Sequence, residues 1–539
     1  MPARRLLPAA VAVVMAATGC SDTASPQKVD PPKAGAAGAS ASGAFTREGW
    51  FGGADGLHAR VEVKGIERRG GQTLVRYAVT SMETVAKSVP FAVSLLDPVG
   101  RKLYRPIAAG PSPSPSGSGS PSTVASPTTA NAAYAPTPTS TPTSTPTATP
   151  TQTTTPTQSS TPTQAPQVPV PSPVVEQFLP GATRELAAGF PSVPSSVQKL
   201  TVLTPGTAGE FTGVPVTGTA SAPGTVASPG NPVDLYDVTE GAVKDVTASG
   251  SDVKMNLRAD VLFATGSAEL SGRAKAVLDQ AGQEVRQKAD AGKGPITIYG
   301  HTDSKGSDAD NLKLSQERAK AVEKELKTRL GGTYTYTTQG KGEAELIAKE
   351  GGTDDANARS RNRRVEISYL VRQQAPSTTT SATAPADSRG GTVPPAAFRA
   401  QDGKTVASRY GRFGSAKRRI DVKPFYRDGA YLVAVFDIVN EGPGTTPPDA
   451  LYPHKDYLGG AFTAFSVLVP GGTDVYRAVR IGPPAANSAK YVDPGRATFR
   501  TAMDAPARGF VYIPAPPGNV KSVTFDAGPF GKVGNVPVA

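Results

Sequence analysis

A chain of 539 residues with 57 glycines and 52 prolines spends about a fifth of its length on residues that break regular elements, so folded modules must alternate with unfolded connections. The formal net charge is +12, but charged residues make up only 19% and no Lys/Arg run is interleaved with aromatics, which excludes nucleic acid and leaves an anionic cell envelope as the expected counterpart. The single cysteine, Cys20, excludes internal disulfides and any cysteine-built metal cage.

Arg4 and Arg5, followed by the apolar run from Leu6 to Ala17, read as a secretory leader. Its last residues, Ala17, Thr18, Gly19 and Cys20, resemble a bacterial lipobox, which implies removal of residues 1–19 as a lipoprotein signal peptide and acylation of Cys20; a plain cleaved leader is the alternative. Two or more acyl chains anchor stably where one does not, so the mature chain would sit on a membrane facing the cell wall or periplasm. Residues 20–43, poor in large apolar side chains, then form a flexible tether.

Residues 44–216 alternate apolar and polar positions in ARVEV, TLVRYAV and FAVSLL, punctuated by Gly-Gly and Asp-Pro, which predicts an antiparallel β-sandwich. At 108–173 the alternation gives way to Pro, Ser, Thr and Ala with no core former, a disordered insert between two strands. Strand patterning resumes in VVEQFLPGATRELAAGF and VQKLTVLTP. The Gly/Pro/Ser-rich composition of residues 217–249 is expected to make them a linker.

From 250 to 372 the period changes. VKMNL and ITIYG read as strands; Ala274, Val277, Ala281 and Val285 form one helical stripe, and Ala319, Val322, Leu326 and Leu330 another, before TYTYTTQ and RRVEISYLV return to strand patterning. This order predicts an α+β sandwich with helices on one face. Arg318 is expected in or near the first turn of the second helix, facing Asp303 on the preceding loop. An acid opposite a base at a helix start suits a ligand that carries both a carboxylate and an ammonium; a surface ion pair is the other reading of the same charges.

The order of residues resembles the OmpA-like (OmpA/MotB C-terminal) peptidoglycan-binding domain. Gly300 to Asp303, Gly306, Asn311, Leu314, Ser315, Arg318, Ala319, Val322 and Asn362 to Ile367 follow that family's pattern. The resemblance implies that Asp303 and Arg318 hold the free end of diaminopimelate in the wall peptide, with Thr302, Asn311 and Arg363 lining or supporting the pocket. One departure is Ala264 after Phe263, where the family usually carries Asp.

Other chemistry is disfavoured. Asp303, Asp308 and Asp310 invite calcium, but the twelfth position from Asp303 is Leu314 rather than Glu and Lys305 intrudes, so no metal or other cofactor is expected. His301 is read as a hydrogen-bonding brace for the loop. No G-x-S-x-G, Walker A or H-E-x-x-H pattern occurs, and no enzyme activity is expected.

A second Ser/Thr/Ala/Pro-rich linker at 373–395 leads to residues 396–539, which repeat the grammar of 44–216 without an insert. FAVSLLDPVGRKLYRPI (91–107) parallels FSVLVPGGTDVYRAVRI (465–481), and VPSSVQKLTVLTPGTAGEFTGVPV parallels PPGNVKSVTFDAGPFGKVGNVPV. The expected fold class is therefore α+β: a central OmpA-like βαβαβ sandwich flanked by two Ig-like antiparallel β-sandwiches, with disordered Pro/Ser/Thr-rich segments. The expected function is a membrane-anchored lipoprotein that binds diaminopimelate-type peptidoglycan non-covalently. An adaptor that holds envelope proteins through the sandwiches and a wall-modifying enzyme are the alternatives.

Overall fold

Strand alternation is converted directly into paired strands in the first part of the chain. The computed structural model describes residues 45–52, 56–107, 175–219, 231–372, 392–444, 451–483, 489–495 and 503–539. The expected signal peptide, Cys20 and its tether, the 108–173 insert and residues 373–391 of the second linker lie outside the described residues. The first region contains β1 (Thr46–Phe51), β2 (Leu57–Arg69), β3 (Gln72–Ser81), β4 (Lys87–Pro90), β5 (Ser94–Asp97), β6 (Lys102–Tyr104), β7 (Val175–Phe178), β8 (Thr183–Pro191), β9 (Lys199–Leu203) and β10 (Glu210–Thr217). The β2–β3 turn is Gly70-Gly71 with φ of 58° and 80°, a left-handed pair that suits the twist of a tight hairpin. Strand β2 pairs with β1 and β3, β3 with β8, β5 with β6 and β9, and β9 with β10, all antiparallel. Phe51, Phe91, Phe178, Phe190 and Phe211 fill the core between them.

Both edges of the insert fall in this region. Ile107 donates its backbone N–H to Gly189 at 2.8 Å, and β7 begins at Val175 against Pro90 of β4. Deleting residues 112–170 is therefore expected to leave a single cooperative unfolding transition and to raise stability by no more than about 2 kcal/mol, because each halving of a closed loop saves only about 0.6 kcal/mol. A loss of several kcal/mol in a denaturant titration would mean that the segment contributes core.

The expected linker at 217–249 is not one throughout. Residues 233–248 form β11 (Val233–Glu240), buried continuously from Leu235 to Thr239, and β12 (Lys244–Ala248), which buries Asp245, Val246 and Ala248. The Gly/Pro/Ser-rich stretch ahead of them hides the short DLYDVT strand in any composition window. Strand β11 is covered on several sides: Val233 pairs with Leu103 of β6, and Asp237–Glu240 pair with Ala248–Asp245 of β12.

The central region follows with β13 (Asp252–Arg258), α1 (Ala259–Leu262), α2 (Gly272–Lys288), β14 (Ile296–His301), α3 (Asp308–Leu330), β15 (Tyr336–Gly340), α4 (Asp355–Asn362) and β16 (Arg364–Leu370). The sheet runs β12–β13–β16–β14–β15, with β14 and β15 parallel and the remaining pairs antiparallel. Ser271 caps α2 by accepting from Ala274 N–H, and the predicted stripe Ala274, Val277, Ala281 and Val285 is buried. Ile296 and Ile298 of β14 meet Ala319, Val322, Leu326 and Leu330 of α3 in the same core.

The C-terminal region contains β17 (Ala407–Phe413), β18 (Ala416–Val422), β19 (Tyr426–Asp428), β20 (Tyr431–Asn440), β21 (Ser466–Leu468), β22 (Val475–Arg477), β23 (Arg480–Ile481), β24 (Lys490–Tyr491), β25 (Pro506–Pro514), β26 (Ser522–Asp526) and β27 (Lys532–Pro537). The segments that parallel each other in sequence also pair in the same order: β21–β22, β21–β26 and β26–β27 repeat β5–β6, β5–β9 and β9–β10. The whole is a strand-rich, mixed α+β fold with few helices.

The first and C-terminal regions are fused rather than strung apart. Leu96, Leu103 and Leu235 share one apolar cluster with Tyr431, Val433, Phe510 and Tyr512. Beside it lies a buried charge cluster: Arg508 donates to Glu210 at 2.6 and 3.0 Å and to Asp402 at 2.6 and 2.9 Å, while Arg47 stands 3.7 Å from Glu210. Tyr426 donates its hydroxyl to the same Glu210 at 2.8 Å.

Candidate functional site

The strand-loop-helix unit from β14 into α3 is built by close approach. A Cβ on Gly300 would lie 2.0 Å from the Ser315 carbonyl, and one on Gly340 would lie 2.6 Å from Ser315 Oγ, so glycine at these paired positions lets α3 settle on the ends of β14 and β15. Ser315 is buried there, donating to the Leu312 carbonyl at 2.8 Å and accepting from Gly342 N–H at 2.9 Å.

Helix α3 starts earlier than its apolar stripe predicts. Ser307 caps it by accepting from Asp310 N–H at 3.2 Å, and Asp310 accepts from the Ser307 hydroxyl at 2.7 Å. Arg318 therefore lies in the third turn rather than at the helix start, and this local cap takes up the Asp310 N–H. The early turns bury polar residues, Asn311, Ser315 and Arg318, which is why a hydrophobic period does not reach them.

Arg318 is 4% exposed. Its Nε donates to the Ser267 carbonyl at 2.9 Å and its guanidinium carbon lies 5.3 Å from the Phe263 ring centre. The two terminal nitrogens have no hydrogen-bond partner among the described residues. Burial lowers its pKa from the usual arginine value, against the opposing pull of Asp260, and it remains a cation at neutral pH. Arg318 is thus flanked by the Phe263 ring and a carbonyl, with Ala264 adding no acid.

Asp303 does not pair with Arg318. Its Oδ2 accepts from Arg363 at 2.6 Å and its Oδ1 accepts from Lys305 N–H at 3.2 Å. Arg363 is shared, donating to both oxygens of Asp260 at 2.8 and 2.6 Å. The bidentate bond to Asp260, with the further bond to Asp303, holds the Arg363 pKa above its usual value. Asn311 supports the loop from below, its Nδ2 reaching the Asp303 carbonyl at 3.5 Å and Glu343 at 2.7 Å. Thr302 is buried; its N–H donates to the Gly342 carbonyl at 2.9 Å, and its hydroxyl has no partner among the described residues.

The reading of His301 as a hydrogen-bonding brace needs correction. It closes β14 fully buried, and neither ring nitrogen has a hydrogen-bond partner among the described residues. Burial, with Arg364 adding repulsion, pushes its pKa down to about 2, so it is a neutral packing residue.

The structure adds an acid that no motif flagged, Asp260, and gives Asn362 of the N-R-R motif a role in the loop. Asp260 braces Arg363, and Asn362 accepts from Ile347 and Ala348 N–H at 2.9 and 3.0 Å while donating to Glu350 at 2.6 Å. Glu350 in turn accepts from Ser304 Oγ at 2.6 Å, locking the residue after Asp303. Three successive residues thus reach three different neighbours, Arg361 to Asp456, Asn362 to Glu350 and Arg363 to Asp260, a connectivity that spacing in the chain does not encode. Among the described residues no group of three His, Cys, Asp or Glu side chains is arranged to hold a metal ion, and no helix is long and apolar enough to cross a membrane.

Comparison with known proteins identifies the central region. Residues 262–363 match the model of the OmpA family and form an OmpA family domain. A 79-residue stretch, 14% of this chain, is 44% identical to the photosystem I P700 chlorophyll a apoprotein A2 of Gloeobacter violaceus, of which it covers 9%. Over 133 residues, 25% of this chain, identity to the probable lipoprotein YiaD of Escherichia coli is 32%, covering 58% of that protein. The crystal structure of the peptidoglycan-associated lipoprotein from Burkholderia pseudomallei aligns at 28% identity over 21% of this chain and 88% of that one, with a TM-score of 0.17. The chain therefore spans less than two thirds of the length of either curated relative.

Proposed function

We propose that the chain binds peptidoglycan non-covalently through its OmpA family domain and holds a membrane to the cell wall. The observation that carries this reading is Arg318: a buried guanidinium whose Nε is spent on Ser267, and whose terminal nitrogens are uncommitted among the described residues. Those nitrogens form a fork suited to a carboxylate, and Asp303 supplies the anion for an ammonium. Thr302 contributes a buried hydroxyl, while Asn311 and Arg363 fix the Asp303 loop. A zwitterionic amino-acid end, such as the free end of diaminopimelate, satisfies both charges. In the same reading the flanking β regions are Ig-like sandwiches that contact other envelope proteins.

Titrating the full chain with a soluble stem peptide containing meso-diaminopimelate, and with the same peptide carrying lysine instead, tests the site. Lysine lacks the side-chain carboxylate, and one charge-assisted contact is worth about 1.5–3 kcal/mol, so the diaminopimelate peptide should bind at least about tenfold more tightly. Equal affinities overturn the reading.

The membrane end is proposed to be acylated Cys20, supported by the lipobox-like residues before it and by the lipoprotein relative. Cys20→Ala should abolish the added acyl mass and move the protein from the detergent phase to the aqueous phase. A variant that partitions like the wild type and carries the same mass removes the anchor from the proposal.

A further inference from the structure

Beside the Asp303 loop runs a cleft of about 550 Å³ made by two distant parts of the chain, residues 346–350 on one wall and residues 455–458 on the other. The second wall lies outside the OmpA family domain at 262–363. It is held in place by Arg361 of α4, which pairs with Asp456 and lies 3.1 Å from Glu240 of β11. Tyr457 donates to the same Glu240 at 2.6 Å.

The lining has a definite chemistry. Leu346 and Leu458 stand 42% and 50% exposed, one on each wall. The acids of the cleft are already engaged, Glu350 by Ser304, Asn362 and Arg359, and Asp456 by Arg361. Its cations are freer. Lys349 is exposed with no ion pair among the described residues, and Lys455, half exposed, touches Asp456 at 3.2 Å and Asp354 at 3.7 Å. The cleft adjoins the site, since Glu350 bonds both the N–H and the hydroxyl of Ser304, the neighbour of Asp303.

Cations beside small apolar surfaces, with the local acids neutralised, suit a peptide that carries free carboxylates and methyl side chains. We infer that this cleft binds the residues flanking diaminopimelate in the same stem peptide. Alanine methyl groups pack against Leu346 and Leu458, and the free carboxylates of the peptide meet Lys349 and Lys455. The inference rests on the proposed roles of Asp303 and Arg318, and it makes the C-terminal region part of the wall-binding surface.

The test titrates the full chain with free meso-diaminopimelate and with the tetrapeptide L-Ala-γ-D-Glu-meso-diaminopimelate-D-Ala, in the wild type and in Lys349→Glu/Lys455→Glu. Both substitutions are on the surface and leave the core untouched. The wild type should bind the tetrapeptide at least about tenfold more tightly than the free amino acid, the size of one charge-assisted contact. The double variant should lose that gain while its affinity for free diaminopimelate stays the same. If the ratio of the two affinities is unchanged in the variant, the cleft proposal falls and the Asp303/Arg318 site stands. If the wild type binds neither probe, the site reading itself falls and takes the cleft with it.

Discussion

Asp303→Asn and Arg318→Ala should each weaken the binding of a soluble diaminopimelate stem peptide by roughly one to two orders of magnitude, because each removes one charge-assisted contact worth about 1.5–3 kcal/mol. The peptide must be monovalent, since many sites on an intact sacculus would hide the loss through avidity. Asp303→Asn is the cleaner of the two. An amide oxygen can still accept from Lys305 N–H, and Arg363 keeps both of its bonds to Asp260, so the loop geometry survives while the anion is lost. Arg318→Ala also removes the bond to the Ser267 carbonyl and the stacking over Phe263. The lysine-containing peptide separates these effects: Arg318→Ala should weaken the diaminopimelate peptide and leave the lysine peptide nearly unaffected. Equal loss on both peptides would make Arg318 a support of the fold rather than a ligand contact.

Glu210→Ala should cost about 3–5 kcal/mol of folding stability, the usual penalty for stranding a buried charge, and should lower the stability of the first and C-terminal regions together. Its side chain is fully buried and receives both terminal nitrogens of Arg508 as well as the Tyr426 hydroxyl. With Glu210 gone, Arg508 keeps only Asp402 and Arg47 keeps backbone carbonyls. Glu48→Ala is the control. Its pair with Arg60 is nearly as short, at 2.8 Å, but both side chains are about half exposed, and the loss should stay below about 1 kcal/mol. Denaturant titrations of the two variants measure both numbers, and similar small losses would show that the cluster contributes no more than a surface pair. Acid should reproduce part of the effect. Burial alone would raise the Asp402 carboxyl, but Arg508 holds it below its ordinary value. Its contribution is therefore complete above about pH 4 and is lost as pH falls through the lower folded value.

What could be read from the chain alone was whatever is local. The β14 strand, the glycine at its end, the Asp303 loop and the apolar half of α3 lie within one contiguous stretch, and each has a period or a residue order of its own. The two α-helical stripes lie where their spacing puts them. The start of α3 was hidden because its first turns bury Asn311, Ser315 and Arg318 rather than aliphatic residues, and a capping serine carries no hydrophobic signal. The acid that Arg363 holds through two bonds, Asp260, is 103 residues away, and the carbonyl that fixes Arg318 belongs to Ser267, 51 residues away. Backbone acceptors leave no trace in side-chain identity at all. Strand β11 was missed for a different reason: it is covered on both faces, so its burial runs continuously from Leu235 to Thr239 instead of alternating.

That same strand sets how the molecule carries load. Val233 is bonded to β6, Leu235 to β23, and Thr239 to both β12 and β22, so one extended segment crosses from the first region into the sheet that bears the Asp303 loop. Tension applied along β11 would find its cross-strand bonds lying across the direction of pull and stretched together in shear. Bonds arranged this way resist as a set, whereas a flexible connection at 233–248 would have passed the full extension to whatever lay beyond it. The chain is thereby coupled as a strut over this stretch.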